Sequence, residues 1–218
     1  MTTPEIVFIA GPNAAGKSSF IRTRINELDG CEIIMTDVYK GRSREVFYKA
    51  LKLKKDIILE TVFNDSSYKD LVDQAREAGY HTSLIVLFLD SIGKSLERVA
   101  FRSVEQNGLM ISGGNIKINF NEGFKNVAQY FFYFDQTDFI YTGITGMNKH
   151  IMSFTKSTLV EYKATNLEYP QKFAGYSFRN HRLSEEAYLI ITANKDYRLF
   201  QQQNELQTGL PKRKRFKL

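Results

Sequence analysis

A glycine-rich segment near the amino terminus has the residue types and the spacing of a phosphate-binding loop. It follows the pattern G-x-x-x-x-G-K-S and consists of Gly11, Pro12, Asn13, Ala14, Ala15, Gly16, Lys17 and Ser18, followed by Ser19. The glycines let backbone N–H groups converge on one centre, where they can hold a polyphosphate anion. In this pattern the lysine reaches the β- and γ-phosphates, and the serine hydroxyl ligates Mg²⁺. The segment therefore predicts a nucleoside triphosphate site at residues 11–19, with Lys17 on the phosphates and Ser18 on the metal.

The residues around this loop predict the strand-to-helix context that phosphate binding requires. Residues 5–10 form an apolar run typical of a buried parallel strand, and the residues from 18 onward have the pattern of a helix. Further strands are predicted at residues 31–36, 57–59, 81–90, 139–144 and 151–162, and further helices at residues 42–55, 66–78, 91–106 and 115–134. Alternating strands and helices imply right-handed crossovers. We therefore predict an α/β fold of three layers with a mostly parallel central sheet.

The pattern changes after residue 162. Residues 163–182 show no clear periodicity, and residues 184–206 predict one helix that begins at Ser184. We expect a phosphate-loop domain at residues 1–162, a C-terminal connector with a helical appendage at 163–210, and a basic tail at 211–218. Five of the 30 basic residues lie in that tail, and the other 25 almost balance the 24 acidic residues. The tail is either a nucleic-acid-binding arm or a solvated terminus, and one short cluster favours the second interpretation.

The composition of the chain argues against several classes of protein. Of its 218 residues 43% are hydrophobic and 25% are charged, and no apolar run has the length that a membrane span needs. Met1 leads into the first strand without a charged and apolar leader, so we expect no secretory signal. Cys31 is the only cysteine, which excludes an internal disulfide. These features favour a cytoplasmic protein without a membrane partner.

Asp90 bears on the class of phosphate-loop protein. It follows the strongest predicted strand, and it could ligate Mg²⁺ as in motor and transport ATPases or cap the helix that begins near Ser91. The second interpretation is favoured because no second carboxylate follows Asp90. The Asn-Lys-x-Asp segment typical of GTPases does not occur in the sequence. A small-molecule kinase needs less, namely the loop, a carboxylate base and cations from a lid.

The chain supplies the parts of such a kinase. Asp37 follows the second strand, at the sheet edge where doubly wound folds bind ligands, and can accept the proton of an attacking hydroxyl. Arg98 and Arg102 lie four residues apart on the helix after the fourth strand. Lys117 follows a glycine-bounded segment at residues 107–114 that has the size of a lid. The predicted catalytic residues are therefore Asp37, Lys17, Arg98 and Arg102.

Several short stretches of this sequence resemble the zeta toxin family. The phosphate loops of that family commonly read G-x-N-G-A-G-K-[ST], close to residues 11–18 here. Further similar stretches are Thr36-Asp37, Ile58-Leu59-Glu60-Thr61, Ala78-Gly79-Tyr80 and Glu97-Arg98-Val99 with Arg102. The resemblance covers residues 6–162, and the last quarter of the chain has no counterpart.

This resemblance implies a fold, an activity and a partner. Zeta toxins have folds similar to adenylate kinase, and they phosphorylate the 3′-hydroxyl of UDP-N-acetylglucosamine unless an antitoxin protein covers the nucleotide site. By resemblance, Lys17 and Ser18 bind ATP and Mg²⁺, Asp37 is the base, and Arg102 clamps phosphate. Glu60 and Thr61 help to hold the small-molecule hydroxyl substrate.

The chain departs from the family's pattern at three places. Val62-Phe63-Asn64 stands where relatives carry Thr-Leu-Ser or Thr-x-Arg, and Lys117-Ile118-Asn119 stands where they carry one or two arginines. Asn64 and Lys117 are the predicted substrate contacts at these positions, although an ammonium cannot make the two-pronged contact of a guanidinium. Ala14 replaces a loop glycine, which requires that its backbone keeps a negative φ.

Three functions are consistent with these residues. The favoured one is an ATP-dependent kinase of a sugar nucleotide or another small hydroxyl compound. The second is a kinase of nucleic-acid ends, which the basic tail favours. The third is a nucleotide-binding or interaction protein without catalysis.

Overall fold

The computed structural model describes residues 3–105 and 111–199 of the chain. Its strands form one sheet of eight in the order β2-β3-β1-β4-β5-β6-β7-β8. They are β1 Glu5–Ala10, β2 Glu32–Met35, β3 Ile57–Thr61, β4 His81–Phe88, β5 Gln136–Ile144, β6 Met147–Thr155, β7 Thr158–Tyr162 and β8 Tyr197–Arg198. Strands β1 to β5 pair in parallel, and β6, β7 and β8 extend the sheet in antiparallel fashion. The predicted α/β fold is confirmed, as a mixed sheet with a five-stranded parallel part.

The helices follow the strands in the predicted alternation. They are α1 Lys17–Arg22, α2 Thr36–Tyr39, α3 Ser43–Lys52, α4 Tyr68–Glu77, α5 Ile92–Glu105, α6 Gly113–Tyr130, α7 Glu168–Arg179 and α8 Glu185–Thr192. The helices predicted between residues 42 and 134 are confirmed, with ends that differ by a few residues. Of the predicted lid at 107–114, residues 107–110 lie outside the described residues, and Gly113 and Gly114 begin α6.

Residues 151–162 form two strands where the sequence predicted one. The chain reverses between Thr155 and Thr158, which are paired across the β6–β7 hairpin. Lys156 takes the left-handed conformation in this two-residue turn, with a φ of +53°. Tight hairpin turns usually place glycine, asparagine or aspartate at such positions. The prediction of a single strand was wrong because no residue of that kind marks the turn.

The C-terminal region contains a helix that the sequence analysis missed. Residues 168–179 form α7, although Pro170 and Gly175 suggested an irregular connector. Pro170 lies in the first turn, where a missing N–H costs no hydrogen bond of the helix. The predicted start at Ser184 is confirmed, since its hydroxyl accepts a hydrogen bond from the Ala187 N–H at 3.2 Å. The predicted helix is nevertheless too long, because α8 ends at Thr192 and β8 follows.

The core occupies both faces of the sheet. On β1, Ile6 and Phe8 belong to a large cluster on one face, and Val7 and Ile9 belong to a smaller cluster on the other. Helices α3, α4, α6, α7 and α8 contribute buried residues to the large cluster, and α1 contributes to the small one. This burial on both faces produces the predicted three layers. The division of the chain at residue 162 stays a prediction, and the predicted basic tail at 211–218 lies outside the described residues.

In the described part of the chain, no helix is both long enough and apolar enough to cross a bilayer.

Candidate active site

The phosphate loop connects the end of β1 with the start of α1, as the motif requires. Gly11 is needed because a Cβ atom at this position would lie 2.2 Å from the carbonyl oxygen of Leu87 on the neighbouring strand segment. Gly16 is needed for another reason, since its φ of +85° is a conformation that side chains disfavour. Both glycines therefore serve the path of the backbone.

The ammonium group of Lys17 is hydrogen-bonded to the backbone of the phosphate loop. Its Nζ donates hydrogen bonds to the carbonyl oxygens of Gly11 at 2.9 Å and Pro12 at 3.1 Å. The side chain is buried, and this burial lowers the pKa of Lys17, while the carboxylates of Glu60 and Asp37 act in the opposite direction. A buried ammonium that donates to carbonyl oxygens is a favourable partner for an anion that enters the loop.

Ser18 is paired with a buried carboxylate. Its hydroxyl lies 3.1 Å from each carboxylate oxygen of Glu60 and donates its hydrogen bond to that group. Burial raises the pKa of Glu60, which is only 6% exposed, and the Lys17 ammonium and the Ser18 hydroxyl oppose this rise. Glu60 lies at the end of β3 opposite Ile9 of β1, so the parallel register carries it to the loop.

Asp37 follows the end of the neighbouring strand β2. Strand β2 pairs with β3 up to Met35, and Asp37 follows in the first turn of α2. Its side chain is exposed, and its negative charge acts to raise the pKa of Lys17, which burial lowers, and the pKa of Glu60, which burial already raises. The structure thus brings together a lysine, a serine and two carboxylates at the carboxyl ends of β1, β2 and β3, where ligands of such sheets bind.

These oxygen groups suit Mg²⁺. The ion prefers hard oxygen ligands and usually shares them among one or two carboxylates, phosphates and water. Ser18 and Glu60 supply a hydroxyl and a carboxylate side by side, and Asp37 is the nearby second carboxylate. Within residues 3–105 and 111–199, no group of three His, Cys, Asp or Glu side chains could hold a metal ion by itself. Phosphate oxygens would complete the coordination.

Side chains of helix α5 and strand β5 form hydrogen bonds with the backbone of the phosphate loop. Arg98 donates to the carbonyl oxygens of Ala14 at 3.4 Å and Thr142 at 2.7 Å. The Ser95 hydroxyl donates to the Asn13 carbonyl at 2.7 Å, and the Thr142 hydroxyl donates to the Ala15 carbonyl at 2.8 Å. Arg98 therefore binds the loop backbone, and its predicted contact with a transferring phosphoryl group stays a prediction.

Arg102 lies one helical turn beyond Arg98. It is partly buried, and its positive charge adds, less than burial does, to the lowered pKa of Lys17. This position suits the phosphate contact that the resemblance implies for it. The role of Arg102 itself stays a prediction.

The predicted substrate contacts occupy different environments. Thr61 is fully buried, and its hydroxyl accepts a hydrogen bond from the Phe63 N–H at 2.9 Å, so it stabilises the turn after β3. Asn64 is exposed and bonds to Asn119 of α6. Lys117 is exposed in a groove between α6 and α7 whose lining includes no residue of the phosphate loop. Of the predicted set, only Glu60 contacts the loop side chains directly.

Two expectations about individual residues were wrong. Ala14 has a φ of +58° and not the expected negative φ, so it takes the left-handed conformation at a cost of about 1–2 kcal/mol. Asp90 caps a helix, but the helix is α7 and not α5. Its Oδ1 accepts hydrogen bonds from the N–H groups of Glu168 at 2.8 Å and Tyr169 at 2.9 Å. The sequence could not indicate this partner, because 78 residues separate Asp90 from Glu168.

The sequence analysis missed several residues that support the site. Ser95 and Thr142 fix the loop backbone, and Asn119 bonds to the loop residue Asn13 at 2.9 Å. Ser95 and Thr142 give no signal in the sequence, because serine and threonine are common at such positions. Asn119 was noted only as a residue that stands in place of a cation.

The sheet order and the loop together define a class of fold. A phosphate loop between the first strand and the first helix, on a sheet with the parallel order β2-β3-β1-β4-β5, is the architecture of P-loop kinase-like proteins. No protein-family description matches the sequence, and no curated protein matches it.

Three solved structures share this fold with the chain. A structure of the PezAT chromosomal toxin–antitoxin system of Streptococcus pneumoniae is 15% identical with a TM-score of 0.53, over 65% of this chain and 68% of that one. The AvrRxo1-ORF1:-ORF2 structure with ATP is 13% identical with a TM-score of 0.57, over 89% and 77%. A chain of the Pnkp1/Rnl/Hen1 RNA repair complex is 20% identical with a TM-score of 0.50, over 59% and 47%. The resemblance to the zeta toxin family is thus confirmed at the level of the fold.

Proposed function

We propose that this chain is an ATP-dependent kinase of the zeta toxin type, which transfers the γ-phosphoryl group of ATP to a hydroxyl of a small molecule. The observation that carries this proposal is the convergence of Lys17, Ser18, Glu60 and Asp37 at the phosphate loop. The fold shared with a structure described as containing ATP supports the choice of nucleotide.

The residues of the site have separate roles in this reaction. Lys17 leaves the carbonyl oxygens of Gly11 and Pro12 and binds the β- and γ-phosphates, which replace them as partners. Ser18 and Glu60 would hold Mg²⁺, and the ion would neutralise charge at the phosphates when bound. Asp37, whose side chain is exposed, accepts the proton of the attacking hydroxyl, and Arg102 stabilises the charge that develops on the transferring group.

A sugar nucleotide such as UDP-N-acetylglucosamine is the proposed acceptor. The resemblance to zeta toxins and the fold shared with the PezAT structure support this choice. The same similarity supports an antitoxin protein as a partner. The carbonyl of the exposed Asn64 side chain offers an acceptor for a sugar hydroxyl, since its NH₂ group is bonded to Asn119.

A kinase of nucleic-acid ends is the second candidate. The fold shared with a chain of an RNA repair complex and the basic residues at 211–218 favour it. Deleting residues 211–218 should then abolish labelling of oligonucleotides or remove its dependence on salt. A chain that binds ATP but labels no acceptor would be the third candidate, a binding protein.

Transfer of label from γ-labelled ATP tests these candidates. The acceptors are UDP-N-acetylglucosamine, nucleosides and oligonucleotides with a 5′-hydroxyl, and the variant is Asp37→Asn. We expect a loss of labelling of about 10²- to 10⁴-fold with ATP binding preserved, because the loss of a general base has this size. The matched control is Asp29→Asn, which makes the same change at an exposed position. Equal labelling by Asp37→Asn and the parent protein removes Asp37 from the mechanism.

A further inference from the structure

Three asparagine side chains form a hydrogen-bonded chain that ends in the phosphate loop. The Nδ2 of Asn64, in the segment after β3, donates to the Oδ1 of Asn119 on α6 at 2.7 Å. The Nδ2 of Asn119 in turn donates to the Oδ1 of Asn13 at 2.9 Å. This chain of hydrogen bonds therefore links the phosphate loop, the segment after β3 and helix α6, which are far apart in the sequence. In each bond the NH₂ group of one asparagine donates to the carbonyl of the next, so the chain has a direction.

This direction determines which group of the Asn13 side-chain amide is hydrogen-bonded to Asn119. An asparagine side chain has one carbonyl and one NH₂ group. Because Asn119 presents its NH₂ to Asn13, Asn13 must present its carbonyl, and its own NH₂ group stays available. No hydrogen bond within the described residues engages the amide nitrogen of Asn13. The backbone of Asn13 is fixed independently, by the bond from Ser95 to its carbonyl oxygen at 2.7 Å.

An anion in the loop favours this direction over the reverse one. If all three amides were turned over, the hydrogen bonds between them would persist, but Asn13 would keep its carbonyl and not its NH₂ group available. A carbonyl dipole repels a phosphate oxygen, whereas an N–H group donates a charge-assisted hydrogen bond to it. The two directions are therefore unequal when polyphosphate is bound.

We propose that Asn13 binds the polyphosphate through its side-chain NH₂ group, and that Asn119 and Asn64 are positioning residues that orient this amide. The inference rests on the nucleotide binding of the proposed function. It assigns to α6 a part in phosphate binding that does not require a cation, at the place where Lys117-Ile118-Asn119 replaces the arginines of zeta-like kinases.

Asn119→Asp tests this orientation with a nearly unchanged shape. A carboxylate accepts hydrogen bonds and donates none, so Asn13 must turn its NH₂ group towards Asp at position 119 and away from the phosphate. Calorimetric titration with Mg·ATP should show binding weakened about 10- to 100-fold, the effect of one lost hydrogen bond to a charged group. Asn13→Ala removes the donor itself and should weaken binding by a similar factor.

A double-mutant cycle separates orientation from charge, because the new carboxylate also repels ATP directly. In the Asn13→Ala background, Asn119→Asp should weaken binding clearly less than it does in the parent, and the remaining loss measures the direct repulsion. The matched control is Asn121→Asp, which adds the same charge at an exposed position of α6 and should leave affinity within about twofold of the parent. Thermal melts confirm that each variant is folded.

The outcomes distinguish this inference from the proposed function. The inference is overturned if Asn13→Ala binds Mg·ATP as the parent does, or if Asn119→Asp keeps its full effect in the Asn13→Ala background. In both cases the parent still binds ATP, and the kinase proposal stands. If the parent binds no ATP, the proposed function fails and the inference fails with it. Should Asn119→Asp not fold, Asn13→Ala alone still decides whether the Asn13 amide contacts phosphate.

Discussion

Replacing Asp90 with alanine should weaken the fold and spare the nucleotide site. The carboxylate accepts two hydrogen bonds in the first turn of α7, from the N–H groups of Glu168 and Tyr169. Glu168 is exposed, so water can replace the lost partner there. The hydrogen bond to the Tyr169 N–H is partly buried beside a side chain that is only 6% exposed, so water replaces Asp90 less well there in Asp90→Ala.

The size of the effect follows from these two environments. Loss of an N-terminal cap costs about 0.5–2 kcal/mol, and an unsatisfied buried donor costs about 1–3 kcal/mol. Since one donor is solvated, we expect a loss of about 2 kcal/mol in the free energy of unfolding. For a domain of this length, the melting temperature should fall by about 4–8 °C.

Calorimetric unfolding and Mg·ATP titration of the same variant measure both quantities. Asp90→Asn is the matched control, because it keeps one acceptor oxygen and loses only the charge, so it should lose about half as much stability. Both variants should bind Mg·ATP within about twofold of the parent, because the Asp90 carboxylate is occupied by α7. An unchanged melting temperature together with lost Mg·ATP binding would refute this reasoning, and Asp90 would then be a magnesium ligand, as in motor ATPases.

Three further substitutions test the loop and one surface carboxylate. Ala14→Gly should raise the free energy of unfolding by about 0.5–1 kcal/mol. The reason is that removing the strain of a left-handed alanine outweighs the extra flexibility of glycine in the unfolded chain. A lower melting temperature for Ala14→Gly would contradict this. Arg98→Lys keeps the charge but cannot bridge the carbonyl oxygens of Ala14 and Thr142. Titration should therefore show Mg·ATP binding weakened about three- to tenfold. An affinity equal to that of the parent would argue against the anchoring role of Arg98. Burial acts to raise the pKa of Asp135, but hydrogen bonds from Lys156 and neighbouring groups outweigh it and lower the pKa to about 2. The stabilisation from Asp135 is therefore present above about pH 4 and is lost as the pH falls through 2. Asp135→Asn should cost about 1 kcal/mol at pH 7 and clearly less near pH 2 in denaturant titrations. A cost that does not change with pH would exclude this pKa as its origin.

The parallel part of the fold was predictable because its signals are local. The phosphate loop has fixed residues at fixed spacing, and the apolar runs of β1 and β4 are typical of strands buried on both faces. The β6–β7 hairpin was not predictable, since Lys156 adopts a left-handed conformation without a residue type that announces it. Helix α7 was hidden by Pro170 and Gly175, which tertiary packing against the core tolerates.

The sequence by itself determined the phosphate loop, the strand before it, the helix after it and the presence of Asp37 and Glu60 at the ends of strands. Only the tertiary structure decided how these groups are paired. Glu60 meets Ser18 across 42 residues, and Asn119 meets Asn13 across 106. Spacing along a chain encodes neighbours within one turn or one strand, whereas contacts of this length depend on strand order and on how each helix packs on the sheet. The same reason explains why Asp90 was recognised as a capping residue while its helix was not.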